Sequence, residues 1–119
     1  MKASLFLALL LPALAAATNA FGEKFLQDNA AKPGVISLPS GLQYKVLRVG
    51  EGTAHPLVDT PCACHYEGRT AQNYPSGTKF DSSYDRGRPA TFAPSQVIKG
   101  WTEAMQMMVQ GDKWEMYTP

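Results

Sequence analysis

An α+β domain is the fold class this sequence predicts, and three observations predict it. Apolar and polar residues alternate over 42–46, 61–67 and 113–118, the period of half-buried strands. Between 97 and 108 the period lengthens: Val97, Trp101, Met105 and Met108 share one helical stripe, while Lys99, Thr102, Glu103 and Gln106 fall on other faces. Breaks rich in Gly and Pro separate the extended pieces, so several short strands must pack on one short helix.

The first twenty residues differ in kind from the rest. Lys2 precedes an apolar run from Leu5 to Ala17, interrupted by Pro12 and followed by small residues through Ala20. This is a charged start, an apolar stretch and a small-residue cleavage zone. The run is shorter than the ~20 residues of a membrane-spanning helix. Residues 1–20 are therefore expected to form a secretory signal peptide, cut after Ala17 or after Ala20. Residues 21–34 follow as an N-terminal arm. Phe21, Phe25 and Leu26 have near-helical spacing there, which allows a short helix ahead of Pro33-Gly34.

Leu42, Tyr44 and Val46 mark the apolar face of the next strand, which Gly50, Gly52 and Pro56 end. Residues 61–67 read as one strand with Cys62, Cys64 and Tyr66 on one face and Ala63, His65 and Glu67 on the other. Residues 72–77 form a turn into a strand at 79–81. Residues 85–89 read as an exposed loop and 91–93 as a short extended piece. The helix is expected to begin near Lys99 and end before Gly111, with Gly111-Asp112 turning the chain into the last alternating segment.

The chain has 119 residues and a formal charge of +1. Lys2 is the sole charge of the leader, so the remainder is neutral. It carries no basic stripe or acidic tail, which argues against nucleic-acid and membrane-surface roles. Cys62 and Cys64 are not expected to join each other. Residues two apart on a strand have Cα atoms ~6.6 Å apart and parallel side chains, whereas a disulfide brings the Cβ atoms within ~4.5 Å. With His55 and His65 they lack the CxxC and HxxxH spacings of a zinc site. Asp81 and Asp85 lack the spaced acids and closing glutamate of a calcium loop. No metal or cofactor is called for.

The chemistry concentrates in Phe80-Asp81-Ser82-Ser83, Arg86, Pro89, Phe92, Val97-Ile98 and Gly100-Trp101. This series closely resembles the FKBP-type peptidyl-prolyl isomerases. Ser40-Gly41-Leu42-Gln43-Tyr44-Lys45-Val46, Pro89-Ala90-Thr91-Phe92 and Gly100-Trp101-Thr102-Glu103-Ala104 are similar to their macrophage infectivity potentiator branch. The resemblance runs from about Val35 to Pro119. It implies a curved antiparallel sheet wrapped around one helix, with a ligand pocket between. It further implies that the domain at 35–119 lacks the family's final loop and strand.

The resemblance also assigns roles. Trp101 would lie under a prolyl ring, and the Ile98 backbone N–H, free of helical partners, would donate to a ligand carbonyl. Val97 precedes it at the pocket. Tyr66, Phe80 and Phe92 would supply apolar walls. Asp81 would sit at the pocket edge, held by Arg86 and Tyr66, since a carboxylate buried without partners is costly. Ala90 and Gln96 depart from relatives that carry phenylalanine and glutamate there, but neither forms the pocket floor.

The function implied is a secreted prolyl cis–trans isomerase acting, as a monomer, on proline-containing peptides and proteins, with macrolide inhibitors as further ligands of the pocket. A chaperone or interaction module holding apolar-Pro segments would use the same pocket without turnover. A structural secreted domain would use these aromatics only as core.

Overall fold

The structure, a computed structural model, describes residues 19–119. The expected leader lies outside them, apart from Asn19 and Ala20. In chain order the elements are α1 (Ala20–Asn29), β1 (Val35–Ser37), β2 (Gln43–Arg48), β3 (Cys62–Cys64), β4 (Glu67–Gly68), β5 (Asp81–Ser82), β6 (Ala90–Phe92), α2 (Lys99–Met107) and β7 (Lys113–Tyr117), with single 3-10 turns at Ala71–Asn73 and Pro94–Gln96. The α+β class is as the sequence predicts. The described residues divide into two compact units: one takes 19–47 with Trp114–Pro119, the other Arg48–Lys113.

In the first unit the arm is a full helix. The Asn19 side chain accepts from the Gly22 N–H at 2.8 Å, Glu23 lies in the positive first turn, and Lys24 pairs with Asp28 at 3.1 Å. Leu26 and Asn29 form its buried face. The sheet runs β1-β2-β7, with Ile36 opposite Tyr44 in the antiparallel β1–β2 pair. Leu26, Leu42, Tyr44 and Tyr117 are buried, and the Tyr44 and Trp114 rings stack 4.3 Å apart. Two buried amides are satisfied together. Asn29 Nδ2 donates to Gln43 Oε1 at 2.9 Å, and Gln43 Nε2 donates to the Leu26 carbonyl at 2.8 Å.

In the second unit β3 pairs antiparallel with β6, and β4 with β5. The expected single strand at 61–67 is thus two. Its alternation survives, with Cys62, Cys64 and Tyr66 half-buried and Ala63, His65 and Glu67 exposed. What changes at His65–Tyr66 is the partner strand, because Cys62 faces Phe92 whereas Glu67 faces Ser82. The strand expected at 79–81 begins only at Asp81, although the Phe80 N–H still donates to the Gly68 carbonyl at 2.9 Å.

Helix α2 follows the expected span and buries Ala104 and Met105. Its entrance is tied down from two sides. Thr102 Oγ1 donates to the Pro94 carbonyl at 2.5 Å, with the Val97 and Ile98 carbonyls each at 3.2 Å. The Ala93 N–H donates to Gln96 Oε1 at 2.7 Å. Beyond the helix, Gly111 takes φ +94°, a conformation glycine adopts without a Cβ penalty, and a Cβ on Gly50 would stand 2.3 Å from the Gln110 carbonyl oxygen. Asp112 bridges this close approach by accepting from the Gly50 and Val109 N–H groups. Among the described residues no helix is long and apolar enough to cross a membrane.

Candidate active site

Three rings from three elements converge in the second unit. Tyr66 follows β3, Phe92 ends β6 and Trp101 lies in the first turn of α2. Tyr66 and Trp101 meet edge to face at 5.1 Å, Tyr66 and Phe92 at 6.0 Å, and Phe92 and Trp101 at 6.0 Å. These separations lie in the range of favourable aromatic pairs, each contributing ~0.5–1.5 kcal/mol beyond area burial. All three rings remain half-buried, so the cluster offers an apolar face instead of closing on itself.

At one side of this cluster the Asp81 carboxylate is held by two groups. The Tyr66 hydroxyl donates to Oδ2 at 2.6 Å, and the Arg86 guanidinium donates to Oδ1 at 2.5 Å. Arg86 also donates to the Tyr66 hydroxyl oxygen at 2.8 Å, which closes a triangle, and its guanidinium lies 5.6 Å over the Tyr66 ring. The Tyr66 hydroxyl bond, then the Arg86 bond, hold the Asp81 carboxyl below the usual carboxylate range against the opposing cost of burial, with the Arg86 charge and the Ser82 N–H as lesser contributions in the same downward direction. Arg86 is pushed correspondingly upward, chiefly by its bond to Asp81. The Asp81–Arg86 pair is 41% and 46% exposed, so solvent screens it and its task is geometric more than stabilising.

The remaining predicted residues divide. Ile98 is the N-cap of α2, so its N–H lies outside the helical ladder, and its side chain is 61% exposed. Val97 precedes it, half-buried. Phe80 is not brought into the ring cluster. Its side chain is 73% exposed and lies over Gly68, where an added Cβ would stand 2.6 Å from the ring. The absence of a side chain at Gly68 lets the ring drop onto the β4–β5 ladder, a contact that residue alternation alone does not reveal. Ala90 pairs opposite Cys64, and Cys62 and Cys64 are free thiols.

Ser83 belongs to the sequence motif, but sequence reasoning gave it no role. It is fully buried, and its hydroxyl takes the Tyr66 N–H at 2.7 Å while its own N–H donates to the Tyr66 carbonyl at 2.9 Å. Two consecutive serines after an aspartate read as turn residues, and nothing in their spacing marks one as the support of Tyr66.

The fold and site define an α+β domain with a half-buried aromatic face edged by one ion-paired carboxylate. The family model described as "FKBP-type peptidyl-prolyl cis-trans isomerase" matches residues 52–119, and "Domain amino terminal to FKBP-type peptidyl-prolyl isomerase" matches residues 11–46. The chain belongs to the FKBP-type peptidyl-prolyl cis-trans isomerase family. Similar curated proteins include the macrophage infectivity potentiator of Trypanosoma cruzi, 46% identical over 82% of this chain and 48% of that protein. The peptidyl-prolyl cis-trans isomerase Mip of Coxiella burnetii is 50% identical over 80% of this chain and 39% of its own length. The crystal structure of FkpA from Escherichia coli matches with a TM-score of 0.74 and 30% identity, over 92% of this chain and 48% of that one. The chain therefore spans about half or less of the length of these relatives. The amino-terminal match takes in α1, which the sequence alone presented as an arm.

Proposed function

We propose that this chain is a peptidyl-prolyl cis–trans isomerase of exported proteins. The observation that carries the reading is the Tyr66–Phe92–Trp101 face edged by Asp81. Rotation about a peptide bond faces a barrier of ~18–20 kcal/mol because twisting destroys amide resonance. Prolyl bonds populate both isomers yet exchange over ~tens of seconds or longer. No covalent step is needed to speed this. A prolyl ring seated on Trp101 between Tyr66 and Phe92 leaves water, and the twisted amide, being less charge-separated than the planar one, is favoured in that apolar setting. The Ile98 N–H is oriented by its cap position to hold a substrate carbonyl, and the Asp81 carboxylate polarises the rim. Arg86 holds that carboxylate and, with Val97 and Phe92, would contact the substrate.

Macrolides would occupy the same face, and the chain is read as acting as a monomer. Export rests on the leader pattern of residues 1–20 and on relatives such as the "Outer membrane protein MIP" of Legionella longbeachae, 46% identical over 85% of this chain. The test is protease-coupled isomerisation of an Ala-Leu-Pro-Phe peptide by the full chain. Acceleration above the uncatalysed rate that is lost in Trp101→Leu supports the proposal. Peptide binding without acceleration would replace it with a proline-segment-binding chaperone, and neither binding nor acceleration would overturn both.

A further inference from the structure

Tyr66 meets Phe92 and Trp101 with its ring and Asp81 and Arg86 with its hydroxyl, so what fixes its main chain fixes the site. Where the strand changes partner, between β3 and β4, a regular ladder would send the Tyr66 N–H to the Ser83 carbonyl. Here it goes to the Ser83 hydroxyl, at 2.7 Å. That oxygen has two other neighbours: the Tyr66 carbonyl at 3.2 Å and His65 Nδ1 at 2.9 Å. A hydroxyl has one proton to give. Since it accepts from Tyr66, its proton points either at the Tyr66 carbonyl or at His65.

The imidazole decides between them. It stacks on the Tyr84 ring at 4.6 Å, which fixes its plane, and its face of the strand is open to solvent. A neutral ring protonated on Nε2 offers Nδ1 as an acceptor, and the hydroxyl proton turns to it. An imidazolium donates from Nδ1 instead. The hydroxyl then accepts from both His65 and the Tyr66 N–H, and its own proton must turn to the Tyr66 carbonyl, which already receives the Ser83 N–H at 2.9 Å. No buried group is orphaned in either arrangement, yet the bonds around Tyr66 differ. The ring meets the Ser83 hydroxyl and the Tyr84 ring, and Glu67, two residues on along the strand, has its carboxylate already paired with Arg69 at 3.1 Å and Lys79 at 3.7 Å.

We infer that His65 is a positioning residue of the site, acting through the buried Ser83 hydroxyl on the Tyr66 main chain and so on the Tyr66–Asp81–Arg86 triangle. It touches no substrate. Its proton state sets the direction of the hydroxyl and thereby adjusts where the Tyr66 ring and hydroxyl stand. The inference rests on the proposed isomerase reading only for its kinetic consequence.

The test follows the Tyr66 amide proton and the His65 ring nitrogens by NMR as the full chain is titrated through the range in which imidazoles change charge, ~pH 5–8. The Tyr66 amide shift is expected to follow the His65 titration, with Nδ1 unprotonated at the alkaline end. His65→Phe keeps the stack on Tyr84 and should abolish that coupling while leaving the melting temperature nearly unchanged. It should also lower kcat/KM about threefold to tenfold, an effect within the usual reach of a positioning contact, and His65→Asn, which restores a polar atom near Nδ1, should recover most of it. A Tyr66 amide indifferent to the His65 titration, or Nδ1 carrying the proton in the neutral ring, would overturn the inference even in an active enzyme. An inactive wild type with the coupling intact would instead count against the isomerase reading alone.

Discussion

Trp101 meets Tyr66 edge to face, with ring centres 5.1 Å apart and planes inclined at 75°. The positive edge of one ring lies against the negative face of the other, so the pair holds its angle without a hydrogen bond. Trp101 is reached from α2 and Tyr66 from the strand junction, and the contact joins helix to sheet within the second unit.

Trp101→Leu should therefore separate binding from folding. Leucine keeps an apolar side chain but loses both ring contacts and the flat seat. Affinity for a proline peptide should fall at least about tenfold, whereas the half-buried position limits the stability loss to about 1–3 kcal/mol. Calorimetric binding and thermal melts of the same protein check this. Equal, large losses in both would make Trp101 a core residue and nothing more.

Asp81 titrates in the direction its partners dictate. Its carboxyl is held below the usual range in the folded chain, chiefly by the Tyr66 hydroxyl and then by Arg86. Its contribution to stability is thus present above the ordinary carboxylate value, ~4, and is lost as pH falls through the lower folded value. Asp81→Asn should flatten the acid limb of the stability–pH curve by a small amount, since the pair is largely exposed. Denaturation midpoints between ~pH 2 and 5 measure it, and a steeper acid limb in the variant would contradict the assignment.

Cys62 and Cys64 should react unequally. Burial, and secondarily the neighbouring Cys62, push the Cys64 thiol upward, so it holds less thiolate at neutral pH than an ordinary cysteine. Iodoacetamide should label Cys62 first, and labelling at Cys64 should accelerate only at higher pH. Peptide mapping after timed alkylation decides it. Faster reaction at Cys64, or a monomer two daltons light, would refute this account.

Asn29 and Gln43 should behave as one unit. Gln43→Ala strands the Asn29 amide N–H and takes one of two donors from the Leu26 carbonyl, which keeps the Ala30 N–H, at a cost of about 1–3 kcal/mol. A double change at both positions should cost less than the sum of the singles. Additive losses in urea melts would show that the two amides do not depend on each other.

The sequence made helix α2 readable because one stripe of it is buried, and it located β2 and β7. In β2 the neighbours Gln43 and Tyr44 are both buried while Val46 and Leu47 are exposed, so alternation does not describe a single buried face there. Through the family resemblance the sequence also singled out Tyr66, Asp81, Arg86 and Trp101, which the structure brings together. It misled at 61–67, because alternation records which face is buried but not which strand pairs, and the partner changes at His65–Tyr66. Phe80 escaped for a related reason: its placement follows from a missing Cβ at Gly68. Ser83 is a buried polar residue held by the Tyr66 main chain and the His65 ring, across the strand pairing, and such long-range partners leave no mark in local spacing.

The amide of Gln96 holds the Ala93 N–H at the entrance to α2. An amide carries no proton that comes and goes with acidity, whereas a glutamate in its place would change charge. The turn that delivers the Ile98 N–H is therefore anchored by a contact indifferent to the medium. Shifts in acidity that would recharge a carboxylate at this position leave the bond at this corner unaltered.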